Sequence, residues 1–189
     1  MKLKQLLPLS LLVLFAACNL STINTKNVKY KSVIKNGSYK LMIPNFLDST
    51  TRLHKEASLQ FANPLKEFYV MVFDENKDNL LQQRLFDSTL QALFPDSTSI
   101  LPSYFDYMTS TLSKQPNFSL FDTVTTTIKK AKAKTGSVIL SLEKAKAFYR
   151  VAAVESNNNF YQVYVWTLEK HKDKYRPIMD SIINSLKEF

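Results

Sequence analysis

Phe160-Tyr161-Gln162-Val163-Tyr164-Val165-Trp166-Thr167-Leu168 is the stretch on which the reading of the fold turns. Its residues are β-branched or aromatic almost throughout, as an enclosed, pleated backbone favours. Side chains alternate across a strand, so Tyr161, Val163 and Val165 point one way, while Gln162, Tyr164 and Trp166 point the other. Apolar or aromatic groups thus line both faces. The pattern predicts a central strand with one face under helices.

Working outward, Ala147 to Val154 reads as a partner strand, and Ser156-Asn157-Asn158-Asn159 as the hairpin turn between the two. Downstream the period changes. Ile178, Ile182, Leu186 and Phe189 share one helical stripe, with Met179 and Ile183 beside it. Asp173 is the expected cap, and Pro177 is tolerable only in a first turn.

Upstream, strands are expected at Ser38 to Pro44, Ala57 to Ala62 and Glu67 to Phe73, with Asn63-Pro64 turning between the last two. Leu81, Leu85, Thr89 and Leu93 recur every four residues, with Phe86 and Leu90 alongside. They predict a single helix, capped by Asp78 and stopped before Pro95. A second helix is expected from Ser103 to Ser113, carrying Tyr104, Met108 and Leu112 on one side and ended by Pro116. Phe118 to Ile128 returns to β character, followed by a turn at Thr135-Gly136 and a strand at Val138-Ile139-Leu140. The class expected is α+β: one domain, residues 37–189, with a largely antiparallel sheet and helices packed on one side.

This order resembles the PsbP/Mog1-like α+β sandwich. The resemblance rests on the opening strand Tyr39-Lys40-Leu41-Met42-Ile43-Pro44, the mid-chain helices, the strand Phe160 to Thr167 and the ending Ile182-Ile183-Asn184-Ser185-Leu186-Lys187. It spans Gly37 to Phe189, with Leu186 where the family often has Phe, and a longer helical insert at Ile100 to Gln115. Members of that superfamily are mostly binding or assembly factors, many of them bacterial lipoproteins. The resemblance implies a fold and carries over no functional residue.

The N-terminus supplies an address. Lys2 and Lys4 precede an apolar run from Leu6 to Leu14, and Phe15-Ala16-Ala17-Cys18 follows. A charged start, a short apolar segment and small residues before a cysteine resemble a lipoprotein signal, with Phe15 where Leu is usual. Residues 1–17 are then a signal peptide, Cys18 carries acyl chains, and residues 18–36 are a polar tether. The run is shorter than the roughly 20 residues that a membrane-spanning helix needs. An ordinary secretory signal would leave Cys18 as a free thiol, an odd residue to keep. Position 19 is Asn with no acidic cluster behind it, which favours a lipid-anchored place on the outer membrane facing the periplasm.

Cys18 is the sole cysteine, so neither disulfides nor a thiolate metal site contributes to the domain. The formal charge of +9 falls to +7 once Lys2 and Lys4 are removed, and lysines gather at 26–40, 129–134 and 170–174. They suit strand edges and loops, where lysine discourages edge pairing. A basic module resting on anionic lipid is a further reading. Export and the lack of a recognised motif argue against nucleic acid.

No catalytic constellation is legible. His54 and His171 lie far apart, no serine sits in a Gly-x-Ser-x-Gly elbow, and two glycines, Gly37 and Gly136, cannot build a phosphate loop. The acidic run Asp74, Glu75 and Asp78 lacks the spacing of a calcium loop and reads as a turn with a helix cap. No cofactor and no metal are expected. The remaining candidates are aromatic: Tyr149, Tyr164 and Trp166 for a ligand or partner groove, weighed against service in the sheet's core. The expected function is a non-catalytic envelope module that binds another envelope protein or a small apolar ligand. The alternatives are a hydrolase with an unrecognised site and a lipid carrier.

Overall fold

The computed structural model describes residues 27–95, 100–115 and 117–189. Cys18, the signal 1–17, most of the tether and Pro116 lie outside the described residues. In chain order the strands are β1 (Tyr30–Lys35), β2 (Tyr39–Pro44), β3 (Asp48–Ser49), β4 (Leu59–Asn63) and β5 (Phe68–Asn76), then helices α1 (Lys77–Phe86), α2 (Ser88–Leu93) and α3 (Ile100–Ser113). They are followed by β6 (Ser119–Ile128), β7 (Ala131–Ser141), β8 (Lys146–Glu155), β9 (Asn159–Leu168), α4 (Lys172–Asn184) and β10 (Lys187–Glu188).

Seven strands form one antiparallel sheet in the order β3-β4-β5-β9-β8-β7-β6, and β1-β2-β10 form a smaller one. β9 is the middle strand, as its two-faced sequence predicts. Tyr161, Val163 and Val165 join a core with Tyr39, Leu41 and Ile43 of β2 and with Ile178, Met179 and Ile182 of α4. Phe160, Tyr164 and Trp166 join a second core with Tyr104, Phe105 and Met108 of α3. Burying each large apolar side chain contributes about 1.5–3 kcal/mol, so both faces are strongly specified.

Helices therefore cover both faces, where the sequence reading expected one. The alternation along β9 shows that both sides are apolar but not which element covers each. The tether also ends earlier than residue 36. Tyr30 to Lys35 pairs along its length with β2, from Tyr30 opposite Pro44 to Lys35 opposite Tyr39. Lys31, Ser32 and Ile34 stay exposed while Tyr30 and Val33 pack at the core's margin, so apolar periodicity is weak in a strand held mainly by its ladder.

The mid-chain helix is two helices. Asn76, not Asp78, caps α1 by accepting from the Asn79 N–H. Asp87 then adopts an extended conformation and its side chain accepts from Thr89 and Leu90, which starts α2 at once. Residue 136 lies inside β7, not in a turn. A Cβ there would come within 3.0 Å of Phe105 and 3.1 Å of Leu120, so glycine is present to let them pack. The β6–β7 turn is Lys129-Lys130, both at positive φ (47° and 80°), a conformation usually marked by Asn or Gly.

α4 likewise departs from expectation. No side chain caps it, and Pro177 is its sixth residue, beyond the first turn. The helix ends at Asn184, and Lys187-Glu188 then pairs with Lys40-Tyr39, leaving Phe189 60% exposed instead of on the buried stripe. Arg150 fastens α4 to the sheet through Asp180 Oδ1 at 2.7 Å and Ser137 Oγ at 2.9 Å.

Candidate functional site

The aromatic candidates belong to packing more than to an open groove. Register places Trp166 directly across from Tyr69 on β5 and Tyr149 on β8. The three rings stack, with Tyr69 at 5.1 Å and Tyr149 at 5.5 Å from Trp166, leaving the indole 9% exposed. Burial pushes the Tyr149 hydroxyl up to about 12. Tyr69, which the sequence reading did not single out, completes the stack; its position across from Trp166 follows only from the register.

Tyr164 is enclosed under α3. Its hydroxyl lies 3.3 Å from the Met108 carbonyl and 3.0 Å from Gln162 Oε1. Gln162 in turn donates to the Tyr104 hydroxyl at 3.1 Å, and Tyr104 donates to Glu75 Oε2 at 3.2 Å. Burial raises the Glu75 carboxyl above its ordinary value, against the Tyr104 hydrogen bond that lowers it. This chain of polar groups satisfies its members internally and ties β5, β9 and α3 together.

The histidines remain apart. His54 packs edge-on against Phe73 at 5.0 Å and accepts from the Glu56 N–H. His171 Nε2 lies 3.2 Å from Glu67 Oε2. Burial and Lys170 hold its imidazole below the usual value against the pull of Glu67. Among the described residues no group of three His, Cys, Asp or Glu side chains could hold a metal ion. Two open depressions, about 390 and 230 Å³, occur among the described residues. The larger is lined by Leu101, Pro102, Thr125, Thr126, Thr127, Lys132 and Glu155, and contains no nucleophile–histidine pair.

The helical pair α1 and α2 presents large apolar side chains to solvent. Leu85 is 63% exposed and Phe86 90% at the end of α1, and Leu93 is 38% exposed at the end of α2. Arg84 binds the Phe94 and Pro95 carbonyls and folds α2 back on α1, while Gln91 reaches the Leu85 carbonyl at 3.3 Å. Phe94 is buried beneath this corner and stacks edge-on with the half-exposed Tyr107 of α3 at 5.8 Å. Leu80 alone is buried on α1. The every-fourth-residue spacing of Leu81, Leu85 and Leu93 is what a core-facing stripe and a partner-facing stripe have in common, so sequence could not separate them. Phe86, off that stripe, was the available signal.

No family model matches the chain, and no curated protein matches it. Solved structures do. The solution structure of cyanobacterial PsbP (CyanoP) from Synechocystis superposes with a TM-score of 0.56, covering 93% of this chain and 99% of that one at 10% identity. The domain has a PsbP-like fold. LpqN of Mycobacterium tuberculosis, described as involved in cell envelope biogenesis, superposes with a TM-score of 0.51 over 86% of this chain and 92% of its own at 12% identity. A Bacteroides thetaiotaomicron structure gives 0.51 at 9% identity, with 84% of this chain matching 48% of that one.

Within the PsbP-like domain, then, two assemblies are well defined. One is the buried stack centred on Trp166; the other is the exposed corner of α1 and α2. No helix among the described residues is long and apolar enough to cross a membrane.

Proposed function

We propose that this protein is a lipid-anchored envelope protein that binds another protein and performs no chemistry of its own. The observation that carries the reading is the exposed apolar corner of Leu85, Phe86 and Leu93 on a short helical pair. Soluble domains rarely leave large apolar side chains together in water unless a partner covers them. The fold shared with LpqN, described as involved in cell envelope biogenesis, and the signal-like start ending at Cys18 support the envelope address. Anchorage on the outer membrane, facing the periplasm, follows from Cys18 and Asn19 in this reading.

The alternatives find less support. A hydrolase needs a nucleophile beside a base, and the described bonds of both histidines go elsewhere, to Glu56 and Glu67. A carrier of small apolar ligands needs an enclosed apolar cavity, whereas the larger depression is open to solvent.

The test is purification of the full-length protein from membranes beside its Phe86→Asp and Cys18→Ala variants. A partner that co-purifies with the parent and is lost with Phe86→Asp supports the binding reading. A partner retained in full by Phe86→Asp removes the corner from it, and Cys18→Ala that stays in the membrane fraction removes the anchor.

A further inference from the structure

We infer that the end of the sheet from which the chain departs toward Cys18 is a lipid-docking face, on which the domain rests against an anionic bilayer with Leu65 as its apolar contact. The inference builds on the reading of Cys18 as acylated. The exit is well fixed. The Lys29 carbonyl accepts from Asn45 N–H at 2.9 Å, the next residue, Phe46, packs on Phe68 at 5.7 Å, and Phe68 packs on Tyr175 at 5.0 Å. Phe68, Thr167 and Phe148 lie side by side across β5, β9 and β8, so the exit, the turn before β5 and the lead into α4 share one end of the sheet. Only residues 19–26 separate Cys18 from Asn27. At the fully extended rise per residue that stretch spans at most about 30 Å, so an acylated Cys18 keeps this end near the headgroups.

The chemistry of the end suits that place. Leu65 is 78% exposed at the tip of a one-turn 3-10 segment, Pro64–Lys66. The turn is held rigid by the Asn63 side chain, which accepts from Lys66 N–H at 3.0 Å, and is closed by Glu67 at a φ of 52°. Lysines ring it. Lys29, Lys144 and Lys170 are exposed, while Lys66 and Lys174 lie 5.9 and 5.1 Å from the rings of Phe46 and Tyr175. Two of the nearby carboxylates are already answered: Glu67 is 3.2 Å from both Lys170 and His171, and Glu169 is 3.9 Å from Lys146. Asp48, Glu143 and Asp173 are left in solvent; with Lys170 paired to Glu67, they face Lys29, Lys66, Lys144 and Lys174, a small cationic excess. An apolar tip on an end of the sheet that carries excess lysine suits an anionic interface, the leucine entering the headgroup layer and the lysines meeting lipid phosphates.

The far end of the molecule is also basic, at Lys129 and Lys130, and so serves as the control. Full-length protein carrying Leu65→Cys or, on the opposite hairpin, Asn157→Cys is labelled with a fluorophore and reconstituted into phosphatidylcholine vesicles. The vesicles contain a headgroup-linked quencher, with and without phosphatidylglycerol. The expected result is strong loss of emission at position 65, little loss at 157, and recovery at 65 when phosphatidylglycerol is omitted. Equal quenching at both positions, or none at 65 while the protein stays on the vesicles, overturns the docking face and leaves the anchor intact. Quenching at 65 that ignores phosphatidylglycerol overturns its electrostatic part. Mass spectrometry of Cys18 decides the anchor separately. If acylation is absent, the same labels in a Cys18→Ala background still decide whether this end seeks anionic lipid.

Discussion

Trp166 lies between Tyr69 and Tyr149 as the middle ring of a stack running across three strands, with interplanar angles of 15° and 18°. Cross-strand pairs set the register of a sheet, and here a single residue joins β5 and β8 through the central strand. Trp166→Ala should destabilise the domain by about 3–5 kcal/mol, the range for removing a buried Trp. Denaturant unfolding followed by circular dichroism measures it. A loss below about 1 kcal/mol would place Trp166 outside the core and return it to the list of binding residues.

The helical corner predicts the opposite balance. Phe86 is 90% exposed, so Phe86→Asp should leave stability within about 0.5 kcal/mol while removing partner capture. Thermal melts of parent and variant supply the control. A variant that fails to fold would show that Phe86 packs in the domain itself.

Gly136→Ala probes the contact between α3 and the sheet. The new methyl would meet Phe105 at 3.0 Å and Leu120 at 3.1 Å, and overpacking of this kind costs about 1–3 kcal/mol. The opposite change is available at the β6–β7 turn. Replacing Lys129-Lys130 by Asn-Gly relieves left-handed strain of about 1–2 kcal/mol per residue, against an opposing entropy cost of glycine of about 0.5–1 kcal/mol, so the denaturant midpoint should rise.

Acid should loosen the C-terminal strand. Burial acts to raise the Glu188 carboxyl, but hydrogen bonds from Ser156, Asn159, Tyr161 and the Asn158 N–H outweigh it and hold the group below its ordinary value. An acid depressed in the folded state contributes stability that is present above its unfolded value and lost as pH falls through the folded one. The Tm difference between parent and Glu188→Gln should therefore narrow as pH drops below the usual carboxylate range. Glu75 has the reverse sign: raised by burial, it disfavours the fold as pH rises through its folded value. Glu75→Gln should accordingly gain most at high pH, and a pH-independent difference would contradict both assignments.

Much of the architecture was legible because β9 advertises burial on two faces and α4 carries its stripe in order. What escaped the reading did so for physical reasons. β1 is held by its ladder with β2 and its apolar Val33 and Ile34 are adjacent, so no alternation betrays it. Asp87 divides one apparent helix into two, since an aspartate at that spacing serves equally as an interior residue or a cap. The Lys129-Lys130 turn lacks the residues that usually mark such a φ, and Gly136, which has them, is a packing device. At the candidate site, aromatic content pointed to the last hairpin, but register and α3 enclosed it, and the exposed leucines resembled a core stripe.

The most direct test of the account is photocrosslinking in intact cells with a photoreactive amino acid at position 86, beside the same group at position 166. The account predicts one recurrent envelope-protein adduct at 86 and none from outside the chain at 166. Adducts at 166 with none at 86 would return the interface to the last hairpin and contradict the helical corner as the partner site.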